Sequence, residues 1–159
     1  MALLGEMVHA FLAADNQKME KDERLSLAQA LRDRYKISAL STESMLEASD
    51  RLEEFLTENY PELLKRHSEW PVHLQKGLQK ASGWIDLLLL TPKGWVIVDH
   101  KSFPGKEADW VTQATSYLPQ LRTYAEALHK ATGQPVYEAW IHMPVVGAMI
   151  HFSEEEIIF

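Results

Sequence analysis

An apolar hairpin interrupted by charge is the feature that most restricts this chain. Trp84–Leu90 and Trp95–His100 are apolar, β-branched and aromatic runs, and Thr91-Pro92-Lys93-Gly94 between them is turn chemistry. If Leu90 and Trp95 flank the turn, Asp86 falls opposite Asp99, with Cβ atoms ~5 Å apart. At an effective dielectric of about 20, two carboxylates that close repel by roughly 3 kcal/mol. A shared proton, a basic side chain or a cation must offset that repulsion. Lys101 lies two residues beyond Asp99 and projects from the same face. An internal salt bridge from Lys101 to Asp99 meets the requirement as well as a bound metal does. A register slip of one residue would separate the two aspartates altogether.

The rest of the chain says what surrounds the hairpin. Leu3, Met7, Val8 and Phe11 recur at helical spacing, and residues 22–36 and 42–59 read as two further helices, with Thr42 as a cap and Pro61 as a stop. Residues 69–74 suggest a short or edge strand, given Pro71. After the hairpin, Ser116 is a candidate cap for a helix with Pro119 in its first turn, ended by Gly133 and Pro135. Val136–Met143 and Ala148–Phe152 read as closing strands. The order predicts an α/β domain, a mixed β-sheet flanked by helices with an N-terminal helical segment.

Length and composition narrow the class. A chain of 159 residues fits a single domain, 1–159. With no cysteine, neither a disulfide, a zinc–thiolate site nor an iron–sulfur cluster can form. No apolar run approaches the ~20 residues of a membrane span, so a cytoplasmic location with no membrane partner is expected. The net charge of −7 argues against a free-standing DNA binder, but residues 41–70 alone carry eight acids against three bases. The tail from Ser153 adds three glutamates, so the acidity lies outside the hairpin and its neighbours.

Four motifs fall in order along the chain: Gly5-Glu6-Met7-Val8-His9, Gly83-Trp84-Ile85-Asp86, Asp99-His100-Lys101, and Gln120 four residues before Tyr124. Together they resemble the RecB-like nuclease branch of the PD-(D/E)xK superfamily, whose marks are G-x-x-x-H, G-x-x-D, D-x-K and Q-x-x-x-Y. D-x-K alone would be weak; the ordered set is specific. The resemblance implies a restriction-endonuclease-like core and a Mg²⁺- or Mn²⁺-dependent DNA nuclease, expected to be an exonuclease of recombination or repair. It implies that His9, Asp86, Asp99 and the main-chain carbonyl of His100 hold the metal. Asp86, Asp99 and Lys101 would carry the catalysis, and Gln120 and Tyr124 would line the same cleft. Relatives of this kind sit within or beside helicases, so DNA and a helicase domain are the expected partners, and the chain is expected to be a fragment of a larger helicase–nuclease. Several relatives carry a four-cysteine iron–sulfur cluster, which this chain cannot form.

Each residue also has a plainer reading. His9 can be a helix histidine packed beside Phe11, with His67 and His73 as substitute ligands. Glu69, in Glu-Trp-Pro, stands where the resemblance implies a further acidic site residue on the strand before G-x-x-D, but it can be a solvated strand-end acid, and Gln120 and Tyr124 can be ordinary helix residues. The tryptophans read as core or hairpin packing, with Trp110 the one expected in a loop facing DNA. A catalytically inactive DNA-binding or scaffold module on the same fold is the alternative function.

Overall fold

The computed structural model describes residues 2–158. They fall into two compact units: Met1–Pro61 with Lys101–Pro104 and Met143–Gly147, and Glu62–His100 with Gly105–His142 and Ala148–Phe159.

The first unit is built on three helices, α1 (Ala2–Ala14), α2 (Lys21–Tyr35) and α3 (Thr42–Asn59). Met7, Val8, Phe11 and Leu12 of α1 and Met45, Leu46, Leu52 and Leu56 of α3 are buried, as their periodicity requires, although Leu3 is half exposed. The leucines of α2 are only half-buried; its buried residues are Ala28 and Arg24. Arg24 is drawn in because Nε and Nη2 donate to the two Asp15 carboxylate oxygens at 2.9 and 2.7 Å, and Nη2 also meets Asp50 at 2.7 Å. The cap of α3 is Ser41, one residue before the expected Thr42; its Oγ accepts from the Ser44 N–H at 3.1 Å.

The second unit is a five-stranded sheet with helices: β1 (Lys65–Lys76), β2 (Gln79–Thr91), β3 (Gly94–His100), α4 (Glu107–Thr115), α5 (Leu118–Thr132), β4 (Val136–Met143), β5 (Ala148–Ser153) and α6 (Glu154–Ile157). The strands lie in the order β1-β2-β3-β4-β5. β1–β2 and β2–β3 are antiparallel, while β3 and β4, joined through α4 and α5, are parallel. This is the mixed α/β architecture expected from the sequence. β3 is buried along its whole length, which is why its sequence is a nearly unbroken apolar run.

The strands before β3 are longer than expected. β1 and β2 reach to Lys76 and Gln79 because their ends form an exposed two-stranded arm, where polar residues hide the strand pattern. Residues 107–115, read from sequence as loop, form α4. Ser116 ends α4 instead of starting α5: its hydroxyl donates back to the Gln113 carbonyl, and Tyr117 takes the cap position of α5. Gly133 closes α5 in the left-handed conformation, as expected. No helix of the described residues is long and apolar enough to cross a membrane.

Candidate active site

The β2–β3 hairpin has the anticipated register, with pairs running from Thr91↔Gly94 to Leu87↔Val98. Thr91 fixes the turn: its hydroxyl donates to the Gly94 carbonyl at 3.0 Å and accepts from the Lys93 N–H at 3.2 Å. Carried one residue further, the register sets Asp86 against Asp99. The ladder closes at Leu87↔Val98, and beyond it the Asp86 side chain makes the next link, accepting the His100 N–H on Oδ2 at 2.8 Å. A carboxylate on a main-chain N–H is a charge-assisted bond, and it fixes where Asp86 points. Asp99 is 3 % exposed, so its carboxyl sits among apolar strands.

The β1–β2 register extends the row. Ser68↔Leu87 and Trp70↔Ile85 bracket Glu69 and Asp86, so Glu69, Asp86 and Asp99 occupy one line across three strands. Glu69 has φ 53°, a left-handed backbone unusual for a non-glycine strand residue, and it is exposed. The sheet is thus irregular on both sides of Asp86.

His100 faces the other way. Its Nδ1 lies 2.8 Å from Nδ1 of His142 on the parallel neighbour β4, and both rings are buried, so one donates and the other accepts. The imidazole is therefore engaged with β4, and it is the main chain of His100 that meets Asp86.

The Q-x-x-x-Y pair sits one turn apart on α5, with Gln120 Nε2 donating to Tyr124 Oη at 3.1 Å. The tyrosine also explains a glycine. A Cβ on Gly83 would lie 2.7 Å from Tyr124 Oη and 3.1 Å from Cε1, so the ring rests on the bare backbone of the G-x-x-D strand. The two motifs are one packing contact. Beside it, Val72, Leu74, Ala81, Gln120, Tyr124 and Ala127 are among the residues lining a hollow of about 200 Å³.

In the first unit, Gly5 of α1 runs alongside Ser102, whose Oγ would be 3.8 Å from a Cβ at that position. Ser102 follows Lys101, which begins the segment after β3, and His9 lies one turn beyond Gly5 on the same face of α1. Gly5 of G-x-x-x-H therefore approaches the residue that follows the D-x-K lysine in the chain. Lys101 and His9 are both half-buried.

Other expectations change. Trp110 is not in a loop; it lies on α4 and donates to the Gly105 carbonyl at 3.1 Å. His67 packs against Trp70, the rings tilted by 46° with centroids 4.5 Å apart, and His73 is exposed on the arm. Trp84, read as packing, is 61 % exposed. The alternation Lys80, Ser82, Trp84, Asp86 carried that signal: those four residues share one face of β2, and it is polar.

The donors suit a hard divalent cation, which takes oxygen ligands and in the case of Mg²⁺ is held by one or two carboxylates plus waters and substrate phosphate. Two carboxylates on adjacent strands, with a main-chain carbonyl, would be such a set. Among the described residues no three His, Asp or Glu side chains cage a metal by themselves, so a cation here would depend on water and phosphate to complete its shell.

A family model described as the PD-(D/E)XK nuclease superfamily matches residues 1–157. No curated protein matches in sequence. Among solved structures, the crystal structure of protein VC1899 from Vibrio cholerae is similar at TM-score 0.41 and 15% identity, over 89% of this chain and 42% of that one. The crystal structure of SSO0001 is similar at TM-score 0.42 and 12% identity, over 99% of this chain and 80% of that one. The chain thus spans less than half the length of the Vibrio cholerae protein.

Proposed function

Because the chain belongs to the PD-(D/E)XK nuclease superfamily, with the restriction-endonuclease-like α/β fold of that group, we propose that it hydrolyses DNA phosphodiester bonds with Mg²⁺ or Mn²⁺. The observation that carries the reading is the anchored Asp86, one oxygen held on the His100 main chain at the point where the register meets Asp99. Two acids in one row repel unless something offsets them, and a cation would do so.

Asp86 and Asp99 would hold the metal, with the His100 carbonyl as a further oxygen. Bound there, the cation would polarise the phosphate and provide hydroxide near neutral pH. Lys101, two residues after Asp99, would place its ammonium against the phosphate and stabilise the charge that builds up as water adds to phosphorus and the bond to the leaving oxygen breaks. Burial of Asp99 keeps bulk water from diluting these interactions. Gln120 and Tyr124 rest on the Gly83 side of β2, opposite to Asp86, and a DNA contact by them rests on the family resemblance alone. His9 as a ligand rests on the family resemblance, and Glu69 on its place in the row.

The finer reading is an exonuclease of the RecB-like branch, acting on DNA ends in recombination or repair beside a helicase domain. The four ordered motifs support it, as does the net charge of −7, which would leave most of the grip on DNA to a partner.

The test is cleavage of labelled linear single- and double-stranded DNA with Mn²⁺, Mg²⁺ or EDTA. Metal-dependent cutting is expected, falling about 100-fold or more in Asp99→Asn and Lys101→Ala with circular dichroism unchanged. Unaltered cutting in either variant refutes the assignment. Absence of cutting by the wild type, with DNA binding retained, favours the inactive module.

A further inference from the structure

The arm formed by β1 and β2 beyond Asp86 is built unlike the rest of the chain. Beyond Asp86 the arm, residues 70–85, carries Lys76 and Lys80 and no acid, in a protein of net charge −7. Lys76 is tied to Glu126 at 2.7 Å, while Lys80 is exposed. On one face of the arm stand Lys80, Ser82 and Trp84 from β2, opposite Gln75, His73 and Pro71 from β1, all exposed. The other face holds Ala81, Gly83, Val72 and Leu74, the side where Tyr124 and the hollow lie. An exposed tryptophan on a polar face calls for a partner in a way that an exposed leucine does not.

Its position defines the partner. Trp84 and Asp86 are two residues apart on one strand and share a face, so their side chains are ~7 Å apart along β2. That is within the reach of a single nucleotide. An exposed ring on a face that also carries a lysine is chemistry by which proteins hold unpaired nucleic acid, the ring stacking on a base and the charge meeting a phosphate. A base within a duplex is already stacked and does not offer its face.

We infer that Trp84 is a stacking platform for an unpaired base next to the scissile phosphate, and that this face of the β1–β2 arm carries single-stranded DNA toward Asp86. The inference deepens the nuclease reading and rests on it for the position of the scissile phosphate. It makes the substrate single-stranded, or a duplex whose end has been opened.

The test is fluorescence anisotropy with the whole chain in EDTA, where hydrolysis is stopped, using labelled oligo(dT), a blunt duplex, and an oligomer of abasic sites. Trp84→Ala weakens oligo(dT) binding about tenfold, Trp84→Phe keeps most of it, and duplex binding is unchanged. Wild-type protein binds the abasic strand as weakly as Trp84→Ala binds oligo(dT). Lys80→Gln flattens the salt dependence by about one unit of slope without changing the base requirement. Equal oligo(dT) binding by wild type and Trp84→Ala overturns the inference, as does an equal loss on the duplex. Parallel cleavage with Mn²⁺ separates the two claims. Cutting by a protein whose binding ignores Trp84 sinks the platform alone. Trp84-dependent binding without cutting sinks the nuclease and leaves the platform.

Discussion

An alanine at position 83 tests whether two sequence motifs are one contact. Its methyl carbon would lie 2.7 Å from Tyr124 Oη, 3.1 Å from Cε1 and 3.3 Å from Cζ. The ring has little freedom to retreat: Tyr124 is 9 % exposed and its hydroxyl is held by Gln120 at 3.1 Å. Forcing a methyl group into such packing costs ~2 kcal/mol. For a chain of this size that lowers Tm by roughly 4–8 °C. Tyr124→Phe removes the nearest atom and leaves the 3.1 Å contact, so Gly83→Ala should cost ~1 kcal/mol less in that background. Tyr124→Phe alone should cost ~1 kcal/mol for its lost hydrogen bond. Urea denaturation of the four proteins gives the coupling directly. Equal costs of Gly83→Ala in both backgrounds, within about 0.3 kcal/mol, refute the contact.

Gly94→Ala should be worse than Gly83→Ala, because φ is 127° and the new Cβ would lie 2.6 Å from the Pro135 carbonyl, main chain that already accepts the Trp95 N–H at 2.9 Å. A loss of ~3 kcal/mol or more is expected, read as a Tm drop of roughly 6–12 °C; a negligible shift would mean that the turn adapts. Arg24→Met should cost ~2–3 kcal/mol at pH 7, the solvent around half-exposed Asp50 keeping it from being larger. Burial alone would raise the Asp15 carboxyl, but hydrogen bonds from Arg24 and Ser49 and the Arg24 charge outweigh it and hold the group low. Asp15 therefore contributes stability above the ordinary carboxylate range and loses it as pH falls through its lowered value. The gap between wild type and Arg24→Met should narrow below about pH 4, followed by urea unfolding across pH; a constant gap contradicts the pairing.

Much of this was legible in the sequence where local chemistry decides the outcome. Thr91-Pro92-Lys93-Gly94 set the hairpin register, and with it the approach of Asp86 to Asp99, because a two-residue turn leaves few alternatives. α3 and β4 fall within their expected bounds because their apolar patterns are strong. The strand pattern of the arm is hidden in the sequence because Gln79, Lys80 and Ser82 are polar on an exposed ribbon with no core to impose alternation. α4 was missed for the same reason: Ala114 is its one buried residue. Trp84 was misjudged because composition places tryptophan inside, and only its neighbours Ser82 and Asp86 on the same face say otherwise. Tyr124 resting on Gly83 was invisible, since it joins elements about forty positions apart in the chain.

The contrast between the β2–β3 and β3–β4 junctions has a kinetic consequence. The antiparallel pair closes across Pro92 and Lys93, whereas the parallel pair joins Trp95 to Val136 only after α4 and α5 have been spanned. The longer closure costs roughly 2–3 kcal/mol more in chain entropy. On that reasoning the hairpin bearing both aspartates assembles early, and the crossover docks onto a strand already in place. Leu88→Ala should then mainly slow refolding, and Leu128→Ala mainly speed unfolding, in stopped-flow denaturant jumps. The opposite pattern would reverse the order. If the order holds, the apolar ladder of the hairpin is the nucleus around which the fold condenses, and the two aspartates are carried into place at its end.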